Sequence, residues 1–489
     1  MSLDIMAIIP EIVLVCFGFL ILMLSVFTGK SFDKVIAPLA VFGLVASAAA
    51  IFVLNFNRMG SFFNMSFIVD DYSIFFRLFT LMTAIIIIGL SVTYIKDSMT
   101  IKRNLGEFYF LILMVTSGTM LMSAAGDLII LFISLELVSL PTYILAGYEK
   151  TNEKSNEASL KYFILGVLAS AVLVYGFSLI YGATGKIILT EISEAIISGG
   201  MIEGNYLLIT GVIMALIGFG FKIAAAPFHF WAPDTYEGSP TIITVLITTI
   251  AKLAAFAGLI RFLYVGISNF GSSLWIILFI VVLSLLSMIL GNLMALPQKN
   301  FKRLMAYSSI AHGGYMMIAF VAATKGAQWA VFLYLMAYIL MNLGVFAVAM
   351  LVEKTRKSEE ISAFAGIGKS NPFISICMVI FLVSMVGLPP FAGFIGKLFV
   401  FKAGIEANLA WLVIIAVLTS VISLYYYVNI VKHMFFMKYD GDKKISKIRT
   451  SKIYFAIISL CAVGTILMVV LPSIFISISE NAVIAGLGF

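Results

Sequence analysis

The chain has 489 residues, of which 62% are hydrophobic and only 11% are charged. Soluble globular proteins are about 45–50% apolar and about 25% charged, so this composition excludes a soluble enzyme, a nucleic-acid-binding domain and a disordered chain. The apolar residues lie in long continuous runs and do not alternate with polar ones. They therefore predict an all-α, polytopic membrane protein and not a β-barrel.

About fourteen apolar runs are long enough to cross a bilayer as helices. They fall at residues 8–27, 35–54, 73–95, 107–124, 127–148, 158–182, 205–228, 239–262, 272–296, 301–322, 328–352, 373–402, 409–435 and 452–475. The first run follows Asp4 and no basic residue, which indicates a membrane helix and not a signal peptide. The last, over 452–475, ends the series.

The loops between these runs differ in charge. Most of the 31 Lys and Arg residues fall in one alternate set of loops, and basic loops face the cytoplasm. The bias places both termini on the outer side and explains the net charge of +7 without nucleic acid. The three cysteines lie far apart inside apolar runs, so the sequence predicts no disulfide, iron–sulfur cluster or structural zinc in this chain.

Two runs are interrupted by glycine and proline. The seventh ends in GFGFKIAAAPFHFWAPDTYEGSP (218–240), and the twelfth contains MVGLPPFAGFIGKLF (385–399). Proline breaks a helix, and broken helices at membrane depth line a cavity or pack inside protein. A pair of them in two halves of a chain predicts a transport site. Their spacing predicts two inverted five-helix repeats, segments 4–8 and 9–13, with broken helices 7 and 12.

The expected organisation is a single membrane domain over 1–489. It divides into N-terminal helices 1–3 (1–106), a first five-helix repeat (107–265), a second five-helix repeat (266–436) and a C-terminal part with helix 14 (437–489). No stretch is polar enough and long enough for a separate soluble domain.

Four ionisable side chains stand out inside the runs, where a charge costs about 2.5–3.5 kcal/mol on insertion scales. They are Glu136, Lys222, Lys252 and Lys397. A buried Glu or Lys whose proton affinity depends on its partners can load and release a proton, so these residues predict proton translocation. The structural alternatives are lysines that snorkel to the interface and a Glu–Lys pair that only stabilises the fold.

Three further residues are secondary candidates. Lys161 opens the sixth segment and either feeds this chain of charges or flanks a loop. His229 and His312 titrate near neutral pH when unperturbed and can relay protons. A hydrogen-bonded structural histidine is the alternative for both.

Other polar residues have a simpler interpretation. Asp234 and Glu237 are expected to cap the eighth helix or to contact solvent. Tyr425, Tyr426 and Tyr427 are expected to be packing and interface aromatics. The sequence contains no GxGxxG fingerprint, no P-loop and no paired-histidine pattern, so no cofactor or metal is predicted in this chain. The energy for moving protons must then come from an ion gradient or a partner subunit.

Several stretches closely resemble the antiporter-like membrane subunits of respiratory complex I (NADH-quinone oxidoreductase), and among them the subunit N (ND2-like) family. They are GDLIILFISLELVSLPTYILAGYEK, EASLKYFILG, FGFKIAAAPFHFWAPDTYEGSPT, NFKRLMAYSSIAHGGYM and GLPPFAGFIGKLFVF. The Tyr-Glu-Gly in the third resembles subunit N. The L and M paralogues and the Mrp antiporters look more like Asp-Ala-His or Asp-Ala-Met.

The resemblance implies a proton-translocating membrane-arm subunit that has no redox centre and is driven by quinone reduction elsewhere in the complex. By position, the family's titratable residues fall on Glu136, Lys161, Lys222, Lys252 and Lys397. NAD(H) or another donor, flavin, iron–sulfur clusters and quinone are expected in partner subunits. The expected neighbours are M-, K-, J-, A-, H- and L-like subunits and lipid, in a prokaryotic inner (cell) membrane.

The sequence departs from the family in the eighth helix. Thr-Ile-Ile-Thr follows Pro240, where the family often has Thr-Pro-Val-Thr, and Ala251 stands where a proline often precedes the lysine. These departures bear on the local shape of that helix and not on Lys252 itself.

Three other functions compete with this one. An Mrp-type cation/proton antiporter subunit is disfavoured by the Tyr-Glu-Gly motif. A non-pumping scaffold is disfavoured by four costly charges in the membrane. A solute transporter has little support in the sequence.

Overall fold

Long apolar helices form nearly all of the structure, a computed structural model that describes residues 3–28, 33–56, 58–95, 101, 104–199, 204–324, 326–438 and 450–485. In chain order the longer helices are α1 (Leu3–Thr28), α2 (Asp33–Asn55), α3 (Asp71–Tyr94), α4 (Leu105–Ser123), α5 (Leu128–Ala146), α6 (Glu153–Thr184), α7 (Leu189–Ser198), α8 (Tyr206–Lys222), α9 (Trp231–Gly238), α10 (Thr241–Gly266), α11 (Leu274–Ala295), α12 (Phe301–Ala322), α13 (Ala327–Arg356), α14 (Pro372–Val386), α15 (Ala392–Glu406), α16 (Ala410–Phe436), α17 (Lys452–Val470) and α18 (Pro472–Glu480).

Within the described ranges, 12 of these helices are long and apolar enough to cross a membrane. Each coincides with one predicted segment, which confirms the all-α, polytopic membrane fold. Of the two remaining predicted segments, the twelfth is divided between α14 and α15, and the seventh contains the shorter helix α8, which is followed after a break by α9.

The breaks in those two segments lie at the Gly/Pro stretches. α8 ends at Lys222, ahead of the predicted end at 228, because Ala224 adopts a left-handed conformation with a φ of 59°. α14 ends at Val386, Gly387 has a φ of 88°, and α15 begins at Ala392. Pro389 and Pro390 supply no N–H groups for a continuing helix. The prediction that both segments are broken is confirmed.

Three elements were not expected from the sequence. An antiparallel hairpin of β1 (Gly60–Phe62) and β2 (Phe67–Val69) precedes α3, and the short helix α7 joins α6 to α8. The predicted last segment, 452–475, is split, because Pro472 starts the new helix α18. Proline is favoured at the first position of a helix, where its missing N–H is not needed.

The interior of the bundle is formed by α10, α12 and α13. The apolar part of α12 is buried along its whole length, and those of α10 and α13 are buried almost completely. α11 and α15 pack against α12, while α15 and α17 pack against α13. The polar side chains on α10, α12 and α13 are therefore held inside protein, away from lipid.

Two buried ion pairs connect the N-terminal helices to each other and to this interior. The Arg77 guanidinium of α3 lies 2.9 Å from the Glu11 carboxylate of α1. Arg261 on α10 donates to the Asp70 carboxylate at 2.6 Å, and Asp70 caps α3 by accepting from the Ser73 backbone N–H. These pairs join α1 to α3, and the start of α3 to α10.

Candidate proton-translocation site

Lys222, the last residue of α8, lies against α5. Its Nζ donates to Ser139 Oγ at 2.7 Å and to the Tyr143 hydroxyl at 2.8 Å. Glu136 precedes Ser139 by three positions, which places both on one face of α5, and it accepts from Ser170 Oγ at 2.5 Å. No ion pair between Glu136 and Lys222 is formed in the described structure. A serine hydroxyl holds the lysine one helical turn from the carboxylate.

The break after Lys222 is fixed by hydrogen bonds. Trp231 Nε1 donates to the Phe221 carbonyl at 2.9 Å, and the Ala226 N–H donates to Ser287 Oγ at 2.8 Å. The end of α8 therefore cannot extend as a helix. Because carbonyl groups at a helix C-terminus carry partial negative charge, the position favours the ammonium group of Lys222.

A small void separates Lys222 from α10. It is lined by Ser139, Tyr162, Lys222 and the α10 residues Ala251 and Ala254, among others. The space open to the centre of a water molecule is about 10 Å³, roughly that of one water. The polar walls of the void are Lys222, Ser139 and Tyr162, whereas the α10 side is alanine, so a single water there can bind the lysine beside α10.

Lys252 lies in the middle of α10 and is buried. Its Nζ donates to Ser309 Oγ and to the Ser309 carbonyl oxygen, both at 2.6 Å. The ammonium also lies 5.0 Å from the centre of the Tyr338 ring, a cation–π distance. A π-helical turn, Ile247–Ala251, directly precedes the lysine. Such turns occur frequently at functional sites.

One face of α12 continues from Lys252 to the second broken segment. Ser309, His312 and Tyr315 are spaced by three residues and so share that face. His312 Nδ1 lies 2.8 Å from the Tyr334 hydroxyl and Nε2 lies 3.4 Å from the Tyr427 hydroxyl. The imidazole is close enough to Lys252 and to the next lysine, Lys397, to interact with both charges.

Lys397 on α15 completes the row. Its Nζ donates to the Val386 carbonyl at 2.6 Å and to Ser420 Oγ at 2.8 Å, and lies 4.6 Å from the centre of the Tyr315 ring. Val386 is the last residue of α14, so the break frees its carbonyl from helical hydrogen bonding. Broken helix 12 thus supplies an acceptor for a buried ammonium group.

Two predicted site residues lie outside this row. Lys161 is at the surface, 2.7 Å from both Asp234 and Glu157, and its side chain is 43% exposed. His229 is buried in the turn between α8 and α9, and its Nδ1 has no hydrogen-bond partner among the described residues. The structure brings together Glu136, Lys222, Lys252, His312 and Lys397, but not these two.

Asp234 and Glu237 form a surface network and do not cap α10. Arg303 donates to Asp234 at 2.6 Å and to Glu237 at 3.2 Å, and Lys154 lies 3.4 Å from Glu237. Burial would raise the pKa of Asp234, but its bonds to Lys161 and Arg303 outweigh burial and hold that pKa below its usual value. The expected capping role is wrong, because Pro240 precedes α10 without a side-chain cap.

The hydroxyl residues around the lysines were missed by sequence reasoning. Ser139, Tyr143, Ser309 and Tyr338 all bind or face a lysine, and Tyr427 contacts Ser308 and His312, contrary to its expected packing role. The sequence did contain a signal for these hydroxyl residues. Some of them lie three or four residues from a charge or a histidine inside a membrane segment, as Ser139 does from Glu136 and Ser309 from His312.

Substitution of Gly166 on α6 tests the importance of the Lys222 hydroxyl partner. A Cβ atom at Gly166 would overlap the Tyr143 hydroxyl, which is the one that binds Lys222. We expect Gly166→Ala to displace this hydroxyl and to lower proton pumping several-fold, measured in membrane vesicles at equal amounts of assembled protein. Gly182→Ala on the same helix is the matched control, because its Cβ meets only Leu207 at 3.9 Å. Equal pumping by the two variants would contradict the prediction.

Comparison with known proteins identifies the family. The sequence pattern of the family described as NADH:quinone oxidoreductase/Mrp antiporter, TM, matches residues 125–423, a range that contains Glu136, Lys222, Lys252, His312 and Lys397. The chain belongs to this family. NADH-quinone oxidoreductase subunit N of Trichlorobacter lovleyi is 36% identical over 487 residues, covering 99% of this chain and 97% of the relative. The resemblance to subunit N is thereby confirmed.

Solved structures support the same family fold. A chain of respiratory complex I from Thermus thermophilus has 30% sequence identity and a TM-score of 0.77, covering 96% of this chain and 98% of that one. A chain of the Mrp complex from Dietzia sp. has a TM-score of 0.86 at 18% identity, covering 100% and 98%. The latter likeness shows a shared fold alone.

Proposed function

We propose that the chain is the subunit N-type membrane-arm subunit of a complex I-type NADH:quinone oxidoreductase and that it translocates protons. The observation that carries the proposal is the row of lysines from α8 through α10 to α15, half-buried at Lys222 and buried at Lys252 and Lys397, each bound to a hydroxyl group. Lysines in an apolar interior are costly, and a purely structural role would favour carboxylate partners, which Lys222, Lys252 and Lys397 lack in the described structure.

The contacts support coupled protonation along the row. Nζ of each lysine is held by neutral oxygen atoms, which accept a hydrogen bond from either the ammonium or the amine. Charges of the same sign repel one another more strongly in a medium of low dielectric constant than in water. Protonation of one lysine therefore lowers the proton affinity of the next, so that a charge change at one end drives release at the other.

His312 is suited to connect the two halves of the row. Its two ring nitrogens contact the hydroxyls of Tyr334 and Tyr427, and a neutral imidazole has one donor and one acceptor nitrogen. It can therefore take a proton at one nitrogen and give one up at the other. In this proposal Glu136 adjusts the charge at the Lys222 end, while Lys161 at the surface and His229 in the α8–α9 turn act as entry residues.

The proposal assigns no redox chemistry to this chain. NAD(H) or another electron donor, flavin, iron–sulfur clusters and quinone belong to partner subunits. The membrane neighbours are M-, K-, J-, A-, H- and L-like subunits, together with lipid. The chain crosses a prokaryotic inner membrane with both termini on the outer side, and its fourteen segments include two inverted five-helix repeats over 107–265 and 266–436.

The Mrp-type cation/proton antiporter is the second candidate, since the two kinds of subunit share a fold. One contact in the structure favours subunit N. The tyrosine of the Tyr-Glu-Gly motif, Tyr236, places its hydroxyl 3.3 Å from Ser309 Oγ, the atom that binds Lys252. The residue that distinguishes the subunit N pattern thus lies at the centre of the row.

Purification of the tagged chain from its own membrane tests the proposal. We expect it to co-purify with complex I-type subunits, and the reconstituted complex to couple quinone reduction to proton uptake, followed by a pH-sensitive dye. Recovery with a small set of antiporter subunits, and cation/proton exchange without an electron donor, would overturn the proposal in favour of the antiporter.

A further inference from the structure

Glu353 lies near the end of α13, one of the membrane-spanning helices. Its carboxylate has no part in the row of lysines described above. Its Oε2 accepts from Thr241 Oγ1 at 2.6 Å, and its Oε1 accepts from the Tyr94 hydroxyl at 3.3 Å. Thr241 is the first residue of α10, the helix that carries Lys252. The carboxylate is therefore in direct contact with the start of the helix that carries Lys252.

A cavity of about 410 Å³ opens to solvent beside this carboxylate. The charged and titratable groups that line it beside Glu353 come from several surrounding elements: Tyr94, Glu149, Lys154, Glu237, Lys302, Lys354, Lys357 and Glu359. Glu359 is bound to Lys302 at 2.6 Å. Glu353 accepts a hydrogen bond from the first residue of α10, so it joins the cavity to that helix.

Hydroxyl groups continue along α10 from Glu353 to Lys252. Thr241, Thr244, Thr248 and Lys252 follow one another at spacings of three, four and four residues, which puts them on one face. All three threonines are buried. The stretch spans about 16 Å at 1.5 Å per residue, about half of a hydrocarbon core of roughly 30 Å.

The far end of this threonine face is bonded to the lysine site. Thr248 Oγ1 lies 3.0 Å from the Tyr338 hydroxyl, which donates to Ser309 Oγ at 2.9 Å. Ser309 Oγ in turn accepts from Lys252 Nζ. Nearer the start of the helix, Thr244 Oγ1 donates to the Tyr236 carbonyl. A polar path therefore leads from a charged, solvent-open cavity to a buried lysine.

The geometry points to Glu353 as the proton-loading carboxylate for Lys252, with Thr241, Thr244 and Thr248 as the connecting hydroxyl row. This inference rests on the proposed function and adds an entry point to it. The protonated carboxyl group gives its proton to the row, Lys252 Nζ gains one, and Glu353 takes a replacement from the aqueous phase in the cavity. Under the proposed topology this cavity faces the inner side.

The test uses the assembled complex in inside-out vesicles, which expose the inner side to the buffer. A loading carboxylate matters most when protons are scarce. Glu353→Gln should therefore lower donor-driven proton translocation by at least roughly tenfold in alkaline buffer, since general acid–base groups typically contribute about 10²–10⁴-fold, and much less in acidic buffer. Glu353→Asp should recover most of the loss. Glu360→Gln, at an exposed carboxylate of the same region, should pump like the wild type. A loss of the same size at every pH would mark a structural role and overturn the inference.

A second pair of variants keeps the inference testable if Glu353→Gln fails to assemble. Thr248→Val removes the hydroxyl that meets Tyr338, whereas Thr249→Val removes a neighbouring buried hydroxyl that donates to the Val245 carbonyl of its own helix. We expect several-fold slower pumping from the first and wild-type pumping from the second, and equal rates would overturn the inference. If Glu136→Gln stops pumping while Glu353→Gln and Thr248→Val do not, the entry route fails and the proposed function stands.

Discussion

Lys222→Ala and Glu136→Gln should each lower proton pumping and quinone reduction together in the assembled complex. Lys222 is the ammonium group held by Ser139 and Tyr143 at the end of α8, and alanine leaves no titratable group there. Proton-transferring groups typically contribute factors of about 10²–10⁴, so we expect losses of at least roughly tenfold. The two activities fall together because quinone reduction is coupled to charge movement along the row of lysines. When the row cannot move its charge, quinone reduction stops as well.

The substitution Lys222→Arg separates charge from titration. Arginine keeps a positive charge at all accessible pH values, so it can preserve the electrostatics of the row but cannot release a proton. We expect Lys222→Arg to assemble well and still to pump poorly. Donor-driven quinone reduction and dye-monitored proton uptake, measured at equal complex content, give the comparison.

Lys402→Ala is the matched control for this series. Lys402 lies on α15 like Lys397, but it is exposed and paired with Glu406 one turn away at 3.7 Å. Exposed pairs contribute little, so this variant should behave as the wild type. Normal pumping by assembled Lys222→Ala and Glu136→Gln would contradict the charge-row mechanism. Lys252→Ala and Lys397→Ala should resemble Lys222→Ala, with milder losses.

The membrane spans were predictable from the sequence, because a long run of apolar residues has few stable structures other than a helix across the bilayer. The same logic found Glu136, Lys222, Lys252 and Lys397, since a charge inside such a run is costly and needs an explanation. The breaks were predictable from Pro and Gly. The residue at which α8 ends was not, because it depends on Trp231 and Ser287 binding the broken backbone.

The partners of the lysines were not predictable in the same way. Serine, threonine and tyrosine are common in apolar helices, and whether a hydroxyl such as Ser309 faces a lysine on another helix depends on tertiary packing. In the sequence, His229 and His312 were equally good candidates for a proton relay. They differ in the structure because α12 passes between two lysines, whereas the α8–α9 turn lies beside the row.

Lys161 shows how helix length changes an interpretation. The predicted sixth segment begins at 158, which would put Lys161 near the membrane. The helix α6 begins at Glu153, and Lys161 pairs with Asp234 at the surface. The position that matches the family's sixth-helix lysine is thus tied to α9, the short helix after the first break. Its role in proton entry stays a prediction.

Arg77→Leu should strongly destabilise the protein. The side chains of Arg77 and Glu11 are 0% and 3% exposed and lie 2.9 Å apart, and the guanidinium lies 4.8 Å from the centre of the Phe67 ring. Removing the cation leaves the Glu11 carboxylate buried without its partner. Breaking such a pair typically costs about 3–5 kcal/mol. We expect a lower thermal unfolding midpoint of the purified complex and less assembled subunit in the membrane.

The double variant Glu11→Leu/Arg77→Leu should recover most of that stability. Replacing a whole buried ion pair by apolar residues is often neutral or stabilising, since no charge then remains in the apolar interior. The exposed pair Lys402–Glu406 supplies the control, because Lys402→Leu should change stability by less than about 1 kcal/mol. If the effects of Glu11→Leu and Arg77→Leu simply added in the double variant, the two side chains would not be coupled. α1 would then be held to α3 by apolar packing alone. Recovery in the double variant would mean that the Glu11–Arg77 pair matters chiefly because neither charge is stable in the interior without the other. The second pair, Asp70–Arg261, would still hold α3 to the helix that carries Lys252.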